Sequence, residues 1–421
     1  MQIIMNRYPA LRNRNFRFYF FGQAASMIGT WAQRVAMAWL AYKLTDSVWI
    51  VGVVGFAGGV SMLLLSPIGG VLSDLGDRRR LMFITQSLML AQSIVLIALT
   101  LSGLIQPWHL VALALFLGTV TAFDTPIRIS LVPGLIEDRA DLPNAVALDS
   151  LLLNVARVIG PAVAGTLLAT LGETSCFALN AVSFLAVLIA LKCMHWKKSE
   201  SRRITQPGLF FLDGLQYIRD TPAVRNALIF AAASSYLINP YSTLMPAIAA
   251  ELFNGGPREI GNLLSCAGVG ALLSVFCLAS TRAISSSRLR WIACAGTVAS
   301  GLALSLLAAS GRLTIGMGMM VFVGGGMVAV AATTKMLLQW EVDEEYRGRV
   351  MGFIGVTQIG MQSVGSIGGG ALAEAIGIRY ALLIHGILCL AVAALYARSA
   401  SHFRVEPKNE LPANSQAPVK K

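Results

Sequence analysis

Charge is scarce in this chain. Only 13% of its 421 residues are Asp, Glu, Lys or Arg, against roughly 25% in soluble domains, and 56% are hydrophobic. That balance excludes an ordinary water-soluble domain and fits lipid as the solvent. Acids are scarcer than bases: 21 against 33, for a formal net charge of +12. In a soluble protein such an excess suggests nucleic acid. Here the arginines stand between apolar runs and at the chain ends, where the Lys and Arg bias of cytoplasmic loops accounts for them. No nucleic-acid partner is expected.

Metal and redox chemistry find little to use. The six cysteines, Cys176, Cys193, Cys266, Cys277, Cys294 and Cys389, lie in or beside apolar runs and form no C-x-x-C pair. They read as small core residues. His109, His195, His385 and His402 are scattered without ligand spacing, so neither a metal nor a cofactor is expected. No G-x-x-x-x-G-K-[ST], G-x-S-x-G or H-E-x-x-H stretch occurs, which removes the phosphate cradle, the nucleophile elbow and the zinc-protease helix. The chain reads as a non-enzyme whose work is driven by an ion gradient or by the substrate's own gradient. The opening MQIIMNRYPALRNRNFRFYFF is basic but no short apolar core with a cleavage site follows. It is expected to be a tail leading into a retained first helix.

Long apolar runs are abundant. Twelve are near 16–42, 48–72, 81–104, 108–132, 144–171, 175–196, 223–250, 259–281, 289–309, 312–339, 349–376 and 378–398. Each is close to the 20 or so helical residues that cross a hydrocarbon core, and helices satisfy their own backbone there. The expected class is an all-α membrane protein of twelve transmembrane helices in two pseudo-symmetric six-helix bundles. Residues 1–196 would form the first bundle and 223–400 the second. Between them, 197–222 is polar and basic around an amphipathic centre of Phe210, Phe211, Leu215 and Ile218, read as an interfacial helix; 401–421 would be a tail. Arg7 to Arg17, Arg78 to Arg80, Lys197 to Arg203, Arg347, Arg349 and Lys420 gather on one side. The expectation is a multi-pass protein of a bacterial inner membrane, with both termini cytoplasmic, embedded in the bilayer as a monomer.

The halves carry traces of duplication. GPAVAGTLLATLG begins at Gly160 and GSIGGGALAEAIG at Gly365; Gly160, Gly165 and Gly172 match Gly365, Gly370 and Gly377 at a constant offset of 205. Repeats of this size are common in transporters whose substrate site lies between them.

Five charges crowd the short gap between the second and third runs, GGVLSDLGDRRRLMFITQ at 69–86. Gly70, Leu72, Asp74, Arg78 and Arg79 resemble the major facilitator superfamily signature G-x-L-x-D-x-x-G-R-[RK], with Asp77 at the second glycine position. VPGLIEDRADLPNAVAL, NVARVIGPAVAG and VDEEYRGRVMG are in the style of one subgroup, the drug and siderophore exporters, and the resemblance covers essentially the whole chain. It implies alternating access, with Gly70, Asp74, Arg78 and Arg79 as a conformational latch toward the second half. A carboxylate at that depth needs an arginine or a helix N-terminus as partner. The alternative is that these charges only set topology.

Ionisable groups within spans mark function by default. Arg34 lies deep in the first span and Arg157 deep in the fifth, three residues after Asn154 and so on its face. With Gln33 and Asn154 they would present planar cationic donors to an anionic, oxygen-rich substrate. A structural role is the alternative, with each arginine bonded to helix carbonyls or paired with Asp124 or Asp149. Asp124 and Arg128, one turn apart, are the candidates for ion coupling, with a proton as the coupling ion. Gly160, Pro161 and Gly165 would bend and thin the fifth span. The family's antiporter motif has the same Gly-Pro pair, which the resemblance links with export, but its arginine four residues before Gly118 is Ala114 here. In the second half Tyr236, Asn239 and Tyr241, between helix-breaking prolines Pro240 and Pro246, and Gln358 and Gln362 would form the opposite wall. The reading is a secondary transporter exporting a siderophore or similar anionic small molecule. The alternatives are a proton-linked multidrug or macrolide exporter, and a non-transporting sensor or scaffold.

Overall fold

The computed structural model describes residues 8–75, 77–194, 207–280 and 285–402. The start of the linker, 195–206, and the tail from 403 lie outside them, as do the side chains of Phe210, Phe211 and Asp74. No strand occurs among the described residues. The first half comprises α1 (Arg14–Thr45), α2 (Val48–Leu75), α3 (Arg78–Leu101), α4 (Pro107–Leu131), α5 (Leu142–Leu171) and α6 (Glu173–Cys193). The linker helix α7 (Pro207–Asp220) leads to α8 (Pro222–Ile238). The second half continues with α9 (Pro257–Ser280), α10 (Ser286–Ala309), α11 (Leu313–Glu341), α12 (Glu344–Ile376) and α13 (Ile378–His402).

By length and composition, ten of these helices can cross a membrane. The expected first and seventh spans are not among them, for separate reasons. The 32 residues of α1 are ample, but polar Gln23, Gln33 and Arg34 interrupt their apolar character. After α8 the chain passes through a 3-10 turn at Asn239–Ser242, a short turn at Met245–Ala247 and a π-helical turn at Ile248–Leu252. Pro240 and Pro246 sit in this interruption, since proline removes a backbone donor and clashes with the preceding turn.

Helix ends follow local chemistry. The Asp77 carboxylate accepts from the backbone N–H of Arg79 and Arg80 and starts α3, the usual work of an aspartate N-cap. Gly172 and Gly377, equivalent in the repeat, make the one-residue turns from α5 to α6 and from α12 to α13 with φ of +77° and +86°. A side chain at such φ is strained, which explains glycine at both.

The packing repeats as the sequence does. In the first half α1 lies against α5 and α6, α2 against α4, and α3 against α4 and α6. In the second, α8 lies against α12 and α13, α9 against α11, and α10 against α11 and α13. Two crossings join the halves, α2 with α12 and α5 with α9. Both are made by glycine. A Cβ on Gly165 would meet the Pro257 carbonyl at 2.7 Å and the Gly261 Cα at 2.9 Å; one on Gly52 would meet the Gly370 Cα at 3.1 Å. Such approach of backbones is how small residues join helices in lipid.

The core shows which ends of the halves meet. We call the side bearing the start of α1 and the α2–α3 turn the arginine face, and the other the far face. One apolar cluster runs through both halves toward the far face, taking Val35, Leu40 and Val51 from the first and Leu237, Met245, Ile248 and Leu263 from the second. At the arginine face the core is split. Phe16, Met82, Ile127 and Leu131 form one cluster within the first half, and Val224, Leu289, Leu338 and Val350 another in the second.

Substituting Gly165 by Leu should therefore lower the thermal midpoint of the purified protein, by a cost of about 1–3 kcal/mol for overpacking. Gly318, whose Cβ position meets nothing within 4 Å, should take Leu with little change; equal stability of both variants would contradict the crossing described here.

Candidate functional site

A glycine also builds the centre of the first half. At Gly160 a Cβ would collide with Trp31 of α1, so its absence lets α1 and α5 approach. Trp31 is three residues before Arg34, and Gly160 three after Arg157. The two helices run in the same direction, so Arg34 lies about one turn beyond this contact and Arg157 about one turn before it. Their axial offset is roughly 9 Å at 1.5 Å per residue, within electrostatic range of one another. The Arg34 guanidinium stands 5.9 Å from the centre of the Trp31 ring. Arg157 lies midway along α5, and Arg34 is about 30 Å along α1 from its first residue at 1.5 Å per residue. Arg34 is exposed at the surface of the protein and Arg157 is half-buried.

Tyr241 of the other half is buried in the proline-broken turn, within electrostatic range of Arg157. The Gly268 Cβ position of α9 is 2.8 Å from the Arg157 carbonyl, so the second half packs on that turn of α5. Among the sequence-selected residues, Arg157 has both Arg34 and Tyr241 within electrostatic range. The remaining one on this face, Asn154, half-buried, turns its Nδ2 to the Ser150 carbonyl of its own helix (2.8 Å).

Gln33 is placed elsewhere. It is fully buried within the first half, where its Nε2 donates to Gln92 and its Oε1 accepts from Ser93 and Asn180, all at 2.8 Å. This side chain faces away from Arg34 because consecutive helix positions point about 100° apart. Tyr236 is packed inside the second half, its ring 6.4 Å from His385 and its hydroxyl against Gly368. Gln358 reaches the Ala331 carbonyl at 3.5 Å, Gln362 is half-buried on the same helix, and Asn239 has a buried Oδ1 with no protein partner. Pro161 lies buried inside a continuous α5, and Gly165 makes the far-face crossing.

Both acids that could have neutralised the arginines are engaged with other groups. Asp124, between α3 and α4, accepts from Thr85 Oγ1 (2.6 Å) and Gln86 Nε2 (2.9 Å). Arg128 does not pair with it, although one turn separates them; it pairs with Asp149 at 3.8 Å, which also accepts from the Tyr19 hydroxyl at 3.3 Å. Neither Arg34 nor Arg157 forms an ion pair among the described residues. Of the latch candidates, Arg78 donates to the Ser130 carbonyl (3.1 Å), Arg79 is half-buried, and a Cβ on Gly70 would meet open space; the Asp74 side chain is outside the described residues.

Geometry separates two kinds of charge in the first half. Asp149→Asn leaves Arg128 without its carboxylate and should destabilise the purified protein by about 1–2 kcal/mol, a partly solvated ion pair. Arg157→Gln removes a charge that pairs with no acid and should leave the thermal midpoint unchanged or raised. The reverse order of midpoints would contradict this assignment.

Comparison with known proteins agrees with the fold. A bacterial homologue of the human lysosomal transporter Spinster, solved inward-facing and unoccupied, superposes with a TM-score of 0.72 at 15% identity over 93% of this chain and 99% of that one. The staphyloferrin A transporter of Staphylococcus aureus is 24% identical over 93% of this chain and 98% of its own length. Macrolide efflux protein A of Streptococcus pyogenes is 23% identical over 90% and 95%, and the enterobactin exporter of Escherichia coli 24% over 93% and 94%. The model of the transmembrane secretion effector family matches residues 5–419. This chain is a member of that family and carries the major facilitator fold.

Proposed function

We propose that the chain exports a siderophore or similar anionic, oxygen-rich small molecule, and that Arg34 and Arg157 bind it. The observation that carries this reading is that two arginines, Arg34 and Arg157, lie deep in α1 and α5 within electrostatic range of one another, and neither is in an ion pair with a carboxylate among the described residues. Arginine stays charged under all ordinary conditions and offers a planar fork of donors matched to carboxylates and catecholates. An unanswered arginine at that depth is costly, and a bound anion removes the cost. Tyr241 would add a donor from the second half, with Asn239, Gln358 and Gln362 behind it.

The distribution of the core supports an accompanying mechanism. A shared core at the far face and separate cores at the arginine face describe a carrier open toward the arginines, which the positive-inside rule assigns to the cytoplasm. An exporter loads in that state, then rocks about the midplane to release outside. Gly70, Asp74, Arg78 and Arg79 would fasten the cytoplasmic side in the opposite state. The membrane would be the bacterial inner membrane, with both termini inside. Among relatives, the staphyloferrin A transporter and the enterobactin exporter favour siderophores. Macrolide efflux protein A favours the drug-exporter reading, which requires Asp124 as proton carrier; its two neutral partners and its place between α3 and α4 fit a scaffold role better.

The test compares secreted metabolites of wild-type, deletion and variant strains under iron starvation. Arg34→Gln and Arg157→Gln should each weaken substrate affinity about 10- to 100-fold, the loss of a charge-assisted hydrogen bond, at normal protein abundance. Undiminished secretion in the deletion strain, with new sensitivity to cationic dyes or macrolides, would overturn the reading in favour of drug export.

A further inference from the structure

Far from the arginines, one charged side chain fastens the two halves together. Glu374 lies in the last turn of α12. Its Oε2 accepts from the backbone N–H of Val48 (2.8 Å) and Trp49 (3.1 Å) and from the Ser47 hydroxyl (3.1 Å), all at the start of α2. The Ser47 oxygen in turn accepts from Ile50 N–H at 3.3 Å. The first N–H groups of a helix have no intrahelical partner, and its N-terminus favours negative charge. A carboxylate from the second half therefore completes the cap of a helix in the first.

The glycine crossing sets up this contact. Gly370 and Gly52 bring the backbones of α12 and α2 together; Glu374 is four residues after Gly370, and Val48 four before Gly52. One helical turn from the crossing, the side chain meets the helix start. A second contact bridges the halves nearby, from the Tyr42 hydroxyl of α1 to Glu251 Oε1 at 3.5 Å. The pseudo-equivalent crossing of α5 and α9 is built differently. The offset of 205 puts Ala169 where Glu374 would be, and the start of α9 is served by its own Glu259, which accepts from Gly256 N–H at 2.7 Å. Of the two crossings, charge from the opposite half fastens one.

We infer that Glu374 is a far-face latch between the halves, made while the arginine face is open and released when they rock. The inference rests on the alternating-access reading above. Glu374 is exposed, so the contact is of modest strength. Losing a helix cap shifts an equilibrium about 5- to 10-fold, enough to bias two conformations yet weak enough to break in every cycle.

Amide hydrogen exchange on the full-length protein in lipid nanodiscs tests it. Glu374→Ala should speed exchange about 5- to 10-fold at the first turn of α2. If the halves separate, exchange should rise likewise at the far ends of α5 and α9 around Gly165 and Gly261, which Glu374 does not touch. Glu259→Ala, which removes a cap within one half, should affect the first turn of α9 alone. A Glu374→Ala effect confined to the start of α2, or no effect, would overturn the latch. The measurement needs no transported molecule, so its failure would leave the anion reading standing, and failure of the anion reading would leave the latch standing.

Discussion

A fixed positive charge near the middle of a bilayer has to be answered by water, by a protein anion or by a ligand. This chain carries two such charges, Arg34 and Arg157, and the two acids the sequence offered as their partners are occupied: Asp124 by Thr85 and Gln86, Asp149 by Tyr19 and Arg128. Everything proposed about the site follows from that arrangement. Charge at such depth is ordinarily too costly to keep without use.

Glycine controls how the charged centre is placed and how it can move. Gly160 seats α1 on α5 at Trp31, Gly165 and Gly261 join α5 to α9, and Gly52 and Gly370 join α2 to α12. The same residue type thus makes a fixed contact inside one half and two contacts between halves. A packed half and a crossing where backbones approach closely at glycine suit a rocking motion, since packed cores shift between discrete arrangements and do not deform continuously. The core is continuous at the far face and divided at the arginine face.

Much of this was legible in the sequence because bilayers impose simple rules. Apolar runs gave the helices and the arginines their common side. The glycines at offset 205 pointed to two related halves, and in the structure they stand at the equivalent crossings and at the matched turns of Gly172 and Gly377. Arg34 and Arg157 stood out as charges within apolar runs. Side-chain direction was harder to read. Gln33 is next to Arg34 in sequence yet points into a network with Gln92, Ser93 and Asn180, because adjacent helix positions diverge. Arg128 pairs across helices with Asp149 and not along its own helix with Asp124, a choice that only tertiary packing makes. Trp31 went unnoticed, since an aromatic residue in an apolar run gives no signal until the glycine facing it is known. Glu374 was visible as an acid at a helix end, but its partner is 326 residues away.

The most direct test of the central claim is an experimental structure with the exported molecule bound. The account predicts anionic oxygens of that molecule within hydrogen-bond distance of both the Arg34 and Arg157 guanidinium groups, with Tyr241 beside them. A bound substrate that touches neither arginine, or arginines that each pair with a protein carboxylate in the loaded state, would contradict it.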